Sequence, residues 1–178
     1  MENIKVHDKE FRIDITGEQI EQRLRELAEK LNNEYEGKNP LFVAVLNGSF
    51  MFAGDLMKYL NIECEITFVR IKSYAGLKSD GDIKILLGIK EEVNDRHVVF
   101  IEDIVDTGNT IMQIFAQMEK FTPKDVKVMT LLFKPEAMQF DYKPDYVGFD
   151  VENKFYVGYG LDYDGLGRNH YGIYILNE

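Results

Sequence analysis

The segment VVFIEDIVDTGNT at residues 98–110 decides the fold, because a short apolar run in it gives way to three carboxylates and then to Thr-Gly-Asn-Thr. The four apolar residues at 98–101 are typical of a strand that is buried on both faces of a sheet. The apolar residues that follow recur at the spacing of one helical stripe: Ile111, Ile114, Phe115 and Met118. The segment therefore predicts a strand, a loop and a helix start, with the loop placed where α/β sheets bind ligands.

The residues of this loop suit a phosphorylated ligand. Glycine and small hydroxyl residues at a helix start leave backbone N–H groups and the positive end of the helix dipole free for a phosphate. The adjacent acids would repel that phosphate unless they bind a cation, hold sugar hydroxyls or exchange a proton with a substrate. A phosphorylated sugar with Mg²⁺ meets all three demands, because Mg²⁺ prefers carboxylate, water and phosphate oxygens.

The segment resembles the phosphoribosyl-diphosphate signature of type I phosphoribosyltransferases, and its sequence EDIVDTGNT is most similar to the hypoxanthine-guanine branch. The resemblance implies that Glu102 and Asp103 hold the ribose hydroxyls and Mg²⁺ with its water, and that Asp106 exchanges a proton with N7 of the purine. It also implies a 5′-phosphate site formed by Thr107, Gly108, Asn109 and Thr110. The alternative for the same residues is a charged surface loop after a strand.

The pattern outside this segment predicts alternating strands and helices. Thr16 and Gln19 form a capping box ahead of an amphipathic stretch, which predicts a first helix that runs to about Tyr35. Apolar runs and one further helical stripe predict strands at residues 41–46, 64–71, 83–89 and 126–133 and a helix at residues 50–60. This order is typical of an α/β fold with a mainly parallel twisted sheet and helices on both faces, as in type I phosphoribosyltransferases.

The chain length suits one domain, which we place at residues 1–178. Residues 141–178 contain short strand patterns and several glycines but no convincing helix. The resemblance implies that this part, from about residue 141 to residue 178, forms most of a small hood over the ligand site.

Composition and charge exclude several classes of partner. The chain has 21 Lys and Arg against 31 Asp and Glu, a formal charge of −10, whereas binding to a nucleic-acid backbone needs a basic surface. No apolar run approaches the length of a membrane span, and the first ten residues lack the apolar core of a signal peptide. The single Cys64 fits a reducing compartment. We therefore expect a cytoplasmic protein with no nucleic-acid or membrane partner.

The family motifs for pyrophosphate also occur. Asn47 and Gly48 follow a predicted strand, where backbone N–H groups can form an anion nest. Relatives commonly carry Lys or Arg where Asn47 stands, and they hold this loop through a cis peptide bond. We therefore expect a Leu46–Asn47 bond that is cis, or switches to cis, when pyrophosphate or phosphoribosyl diphosphate is bound. Arg168 matches the family's pyrophosphate-binding Arg, and Ser73 and Tyr74 match the tip of its lid loop. Taken alone, the Asn47-Gly48 motif would be an ordinary β-α turn and the Ser73-Tyr74 motif a solvated loop.

The motifs for the purine lie in the C-terminal third. Lys134 follows an apolar strand and matches the Lys with which the family recognises the 6-oxo group of the purine. An ammonium group can donate a hydrogen bond to that oxygen. Phe155 would stack on the base, Tyr156 would meet the edge of the base through its backbone, and Asp162 would bind a second Mg²⁺. Without the resemblance, Lys134 would be a solvated strand-end lysine and Phe155 a core residue.

Together, the resemblance implies a purine-salvage transferase that joins hypoxanthine, with guanine as a second base, to phosphoribosyl diphosphate, giving IMP or GMP and pyrophosphate. It implies Mg²⁺ and a homodimer or homotetramer. A sister enzyme for xanthine or another base stays open, although Lys134 and the Phe155 segment speak against adenine and pyrimidines. A non-catalytic regulator that senses phosphoribosyl diphosphate and binds nucleic acid is a second alternative, which the acidic charge opposes. A phospho-accepting signalling domain would not explain Thr-Gly-Asn-Thr.

Overall fold

The protein is described by a computed structural model that covers residues 3–72, 84–87, 89 and 91–177. Its elements in chain order are β1 (Asn3–Val6), β2 (Lys9–Ile15), α1 (Gly17–Tyr35), β3 (Leu41–Leu46), α2 (Phe50–Met57), β4 (Glu65–Lys72), β5 (Lys84–Leu87), β6 (His97–Val105), α3 (Asn109–Met118), β7 (Asp125–Phe133), β8 (Tyr146–Asp150), β9 (Tyr156–Val157) and β10 (Ile173–Leu176). None of these helices is long and apolar enough to cross a membrane.

The main sheet has six strands in the order β5-β4-β3-β6-β7-β8. Strands β4, β3, β6, β7 and β8 are parallel to one another, and the edge strand β5 pairs antiparallel with β4. Helices α1 and α2 pack on one face through a core that includes Leu31, Phe52 and Phe42, whereas α3 packs on the other face through Ile111 and Ile114. The predicted parallel sheet with helices on both faces is confirmed.

A second, four-stranded antiparallel sheet forms the hood, in the order β1-β2-β10-β9. The hood differs in two respects from the prediction that about residues 141–178 form most of it. Strand β8 pairs with β7 in the main sheet, where it covers an edge that would otherwise expose unpaired backbone groups. Two of the four hood strands come from the N-terminal part of the chain, because β2 pairs with β10 across more than 150 residues.

Helix α1 follows the sequence pattern closely. The Thr16 side chain accepts from the N–H of Gln19, and the Gln19 side chain accepts from the N–H of Thr16, so both halves of the predicted capping box are present. Helix α2, predicted to reach Leu60, ends at Met57. There the N–H groups of Lys58 and Tyr59 donate to carbonyls three residues back, which tightens the chain out of the α-helix.

Candidate active site

The carboxyl ends of β3, β4 and β6 and one loop of the hood enclose a cleft of about 570 Å³. The residues that line it are Val45, Leu46, Asn47, Gly48, Arg70, Ile71, Glu102, Asp103, Asp162 and Arg168. Six of these were predicted from the sequence as ligand-binding residues, and they derive from three separate parts of the chain. The cleft lies where a parallel sheet is expected to bind its ligand.

A second pocket, of about 640 Å³, lies between α1 and the turn before β8. Its two carboxylates already have partners, because Glu34 accepts from Lys127 and Tyr146, and Asp145 accepts from Tyr142 and a backbone N–H. We therefore place the functional site in the cleft at the carboxyl edge of the sheet, where a buried carboxylate oxygen lacks a partner.

That oxygen belongs to Glu102. Strand β6 continues through Glu102 and Asp103 to Val105, beyond the predicted apolar run, so both acids are part of the sheet. Glu102 is only 5% exposed, and its Oε1 has no hydrogen-bond partner among the residues that the structure describes. Burial raises the pKa of the Glu102 carboxyl well above its usual range, and the neighbouring Asp103 charge raises it further.

Asp103 points towards the loop after β3. Burial raises the pKa of Asp103 to about 6, although the N–H of Ile104 and the Arg168 guanidinium oppose the shift. A divalent cation would offset the cost of burying these two carboxylates, so the donor set fits Mg²⁺. Within the described part of the chain no three His, Cys, Asp or Glu side chains converge on one point, so such an ion would need further ligands from substrate and water.

The predicted pyrophosphate loop packs tightly against its surroundings. The Leu46–Asn47 peptide bond is cis, as the resemblance implied. A Cβ atom at Gly48 would lie 1.4 Å from Asp103 Oδ2, and a Cβ at Gly160 in the hood would lie 2.0 Å from the Gly48 carbonyl oxygen. Both positions therefore need glycine, since a side chain at either one would push the loop away from β6 or from the hood.

The hood contributes an ion pair to the cleft. Arg168 Nη2 lies 2.6 Å from Asp162 Oδ1, and Arg168 Nη1 donates to the Gly160 carbonyl at 2.6 Å. The other Asp162 oxygen accepts from the N–H of Gly165 at 2.7 Å. The two residues predicted for pyrophosphate and for a second Mg²⁺ thus hold one another beside the Gly48 loop.

The predicted phosphate loop opens α3. Gly108 has φ 84°, in the left-handed region that favours glycine, and the helix begins at the next residue, Asn109. Its surroundings enforce the same choice, because a Cβ at Gly108 would meet the Met138 side chain at 2.6 Å. The N–H of Gln139 donates to the Thr107 carbonyl at 3.1 Å, which ties the loop to the segment after β7.

Two of the residues predicted to contact the purine, Asp106 and Lys134, are paired with each other. The register of β6 and β7 places Val105 opposite Phe133, so Asp106 and Lys134 follow at equivalent positions on neighbouring strands. Lys134 Nζ donates to Asp106 Oδ2 at 2.7 Å. The lysine side chain is almost buried, whereas 45% of the Asp106 side chain is exposed.

The two aromatic residues predicted to bind the base, Phe155 and Tyr156, differ in burial and in their distance from Lys134. Lys134 Nζ lies 5.9 Å from the ring centroid of Tyr156, which is buried. Phe155 is 44% exposed, and its ring contacts are with Phe11 and Tyr163 of the hood. The aromatic side chain beside the lysine is therefore that of Tyr156, for which only a backbone role was predicted.

One charged residue of the cleft was not predicted as a ligand-binding residue from the sequence. Arg70 is paired in register with Leu46, so it lies near the carboxyl end of β4, beside the Asn47 loop. The signal was present, because a basic residue at the end of a strand parallel to β3 must reach the same edge of the sheet. The predicted lid residues Ser73 and Tyr74 lie outside the described residues.

Comparison with known proteins assigns this arrangement to a family. Residues 15–164 match the family model described as phosphoribosyl transferase domain. The chain belongs to the phosphoribosyltransferase family. A hypoxanthine-guanine phosphoribosyltransferase from Lactococcus lactis is 41% identical over 156 residues, which are 87% of this chain and 85% of that protein. A hypoxanthine-guanine-xanthine phosphoribosyltransferase from Tritrichomonas foetus is 40% identical over 160 residues, 89% of this chain and 87% of that protein.

Solved structures agree with this membership. A hypoxanthine phosphoribosyltransferase from Staphylococcus aureus superposes on this phosphoribosyltransferase with a TM-score of 0.88 and 34% identity, covering 93% of this chain and 91% of that chain. The predicted enzyme class, a purine-salvage transferase of the hypoxanthine-guanine branch, is confirmed, as is the predicted fold. The roles of the individual site residues stay predictions.

Gly48→Val should raise the KM for phosphoribosyl diphosphate by roughly 100-fold, because the new side chain cannot coexist with Asp103 and must displace the loop. Gly54→Ala is the matched control, since a Cβ there meets nothing within 4 Å. That control should keep its KM and gain about 0.5–1 kcal/mol in unfolding free energy from its helix-interior position. Initial rates and urea unfolding check both variants, and an unchanged KM in Gly48→Val would contradict the assignment of this loop.

Proposed function

We propose that this transferase uses hypoxanthine, with guanine as a second base, and that Asp106 and Lys134 select and activate the purine. The observation that carries the proposal is their contact of 2.7 Å at the rim of the sheet. In a 6-oxopurine, N7 and O6 lie next to each other on one edge of the ring system. A carboxylate and an ammonium held side by side match that edge, because the carboxylate accepts from N7–H and the ammonium donates to O6.

The phosphoribosyl diphosphate would lie across the carboxyl edge of the sheet. Its 5′-phosphate fits the start of α3, where the N–H groups of the first helical turn have no partner within the helix and the Asn109 N–H makes only a long bond of 3.4 Å to Thr107 Oγ1. Its pyrophosphate fits the other end of the cleft, between the Gly48 loop, Arg168 and Arg70. Relatives commonly carry a basic residue at the position of Asn47. In this chain Arg70 supplies positive charge next to Asn47 instead.

Mg²⁺ is the cofactor that we assign to the same edge. Glu102 and Asp103 would hold one ion together with the ribose hydroxyls, and Asp162 would hold a second one. Bound there, the ion supplies charge neutralisation for the departing pyrophosphate. The unpartnered Glu102 oxygen supports this assignment, since a buried acceptor without a donor is costly to retain.

The reaction then follows from the placement of these side chains. Arg168 and the N–H groups of the Gly48 loop stabilise the negative charge that develops on the pyrophosphate as its bond to C1′ loosens. The purine attacks C1′ through N9, and Asp106 takes the proton that leaves N7. Lys134 holds O6, and Phe155 and Tyr156 bound the base on the hood side. Pyrophosphate leaves with the electron pair of the broken C–O bond.

The base specificity is testable directly. Pyrophosphate release should be rapid with hypoxanthine and guanine and very slow with adenine, because the 6-amino group of adenine would point its hydrogens at the Lys134 ammonium. Xanthine is the base that separates this proposal from a sister enzyme of wider specificity. Preference for xanthine or adenine would contradict the proposal, and tight RNA binding in a filter assay without any turnover would favour the regulator. The cytoplasmic location and the homodimer or homotetramer stay predictions.

Asp106→Asn should lower kcat by ~10²–10⁴-fold, because an amide cannot take the N7 proton. The affinity for phosphoribosyl diphosphate should change little, since Asp106 faces the base and Lys134. Asn also keeps the shape of the side chain, so the unfolding free energy serves as a control for structure. Normal turnover in this variant would remove Asp106 from the proton-transfer role.

Lys134→Ala should weaken the use of 6-oxopurines much more than the binding of phosphoribosyl diphosphate, because only the base loses a partner. Calorimetric titration of each ligand separates the two effects. Lys154→Ala is a matched control, since Lys154 pairs with Glu152 outside the cleft at 3.0 Å. Equal weakening of both ligands in Lys134→Ala would assign this lysine to the phosphate or to the fold.

A further inference from the structure

Tyr159 has an unusual backbone for a large side chain. Its φ is 47°, in the left-handed region, and it stands between Gly158 and Gly160, whose φ values of 98° and 102° are also positive. Bulky residues are rare in this region, because Cβ comes close to the following carbonyl oxygen. Tyr159 is nevertheless 2% exposed. A third glycine would suit the turn better, so the tyrosine side chain must offset the strain of its own backbone.

The hydroxyl of Tyr159 bonds to helix α2. It donates to Asp55 Oδ2 at 2.6 Å, across 104 residues of sequence. Burial raises the pKa of the Tyr159 hydroxyl far above its usual range, and the bond to Asp55 raises it further, so the hydroxyl keeps its proton and acts as a donor. The bond joins the hood to helix α2, which packs on the main sheet.

Helix α2 is in turn continuous with the pyrophosphate loop. Ser49, the residue between Gly48 and the first helical residue, is fully buried, and its hydroxyl donates to the Val45 carbonyl at 2.6 Å. The N–H of Ala53 donates to the Ser49 carbonyl at 2.8 Å. A displacement of α2 at Asp55 therefore shifts the Gly48 loop with it.

The residue after Tyr159 touches both halves of the anion site. Gly160 packs directly on the Gly48 carbonyl, and its own carbonyl accepts from Arg168 Nη1 at 2.6 Å. The N–H of Gly160 donates back to the Arg168 carbonyl at 2.9 Å. The position of Arg168 relative to the Gly48 loop thus depends on the turn that contains Tyr159 and Gly160.

We propose that Tyr159 is a positioning residue for pyrophosphate, whose hydroxyl bond to Asp55 fixes the distance between the Gly48 loop and Arg168. The inference rests on the proposed function, in which these two groups hold the pyrophosphate. The loop follows a strand of the main sheet and the arginine belongs to the hood, so their relative position depends on contacts between two separate sheets. The Tyr159–Asp55 bond is a partly buried polar contact between the hood and helix α2, and Tyr159 directly precedes Gly160, which packs on the Gly48 carbonyl.

Tyr159→Phe tests this directly, because it removes the hydroxyl and keeps the ring in the core. Its KM for phosphoribosyl diphosphate and its dissociation constant for magnesium pyrophosphate should rise roughly 10-fold, as for loss of a hydrogen bond to a charged group. The KM for hypoxanthine should stay within about twofold. Tyr59→Phe is the matched control, since the Tyr59 hydroxyl bonds Glu21 at 2.9 Å near the same helix but makes no bond to the hood.

Asp55 gives the reciprocal test. Asp55→Asn keeps an oxygen that accepts from Tyr159 and should retain nearly normal pyrophosphate binding, whereas Asp55→Ala should match Tyr159→Phe. Combining Asp55→Ala with Tyr159→Phe should add nothing further, because both remove the same bond. A KM that rises equally for both substrates, or that rises equally in Tyr59→Phe, would overturn the positioning role.

Arg168→Ala separates this inference from the proposed function. If Arg168→Ala leaves the binding of magnesium pyrophosphate unchanged, the proposed anion site itself is wrong. If Arg168→Ala weakens binding and Tyr159→Phe does not, the anion site stands and the positioning role of Tyr159 is overturned.

Discussion

The parallel pairing of β6 between β3 and β7 is the constraint on which the rest of the site depends. Parallel strands present their carboxyl ends at one edge, so residues that are 50 or more positions apart in the sequence arrive in a single cleft. The register of β6 and β7 also continues past the strands, because the N–H of Lys134 donates to the Val105 carbonyl at 3.0 Å. The main-chain hydrogen bonds thus place Asp106 next to Lys134, and a side-chain substitution at either position leaves those main-chain bonds in place.

The same strand explains the electrostatics of the cleft. Glu102 lies in the middle of a sheet, where water cannot solvate both of its oxygens, and Asp103 is held beside it by the backbone. Burying two adjacent carboxylates costs free energy, and the fold retains them although an amide or apolar pair would cost less. Such a cost is expected where function requires the charge. Arg168 and Arg70 supply compensating positive charge from the hood and from β4.

Local signals in the sequence predicted much of this arrangement. The capping box at Thr16, the apolar run of β3 and the stripe of α3 each depend on neighbouring residues, so periodicity could identify them. Which strands form the hood could not be predicted in this way. Strands β2 and β10 are distant in the sequence, and no local pattern in either one indicates that they pair. The end of β6 was misjudged for a related reason, since carboxylates in a strand contradict the apolar pattern of burial. Arg70 was overlooked although a strand ending near it was predicted, because its position beside Asn47 becomes visible only when that strand is placed parallel to β3.

The long-range pairing of β2 with β10 also has a consequence for the time course of synthesis. The first two strands of the hood are made more than 150 residues before β10, which lies between β2 and β9 and spans residues 173–176. Until then β2 has an open edge, and Arg168 cannot be held against the Gly48 loop. The main sheet can assemble during elongation, whereas the anion site is completed only after β10 has been made. An interrupted chain would therefore carry a folded α/β body without a competent centre, and its unpaired β2 edge would be exposed to association with other chains.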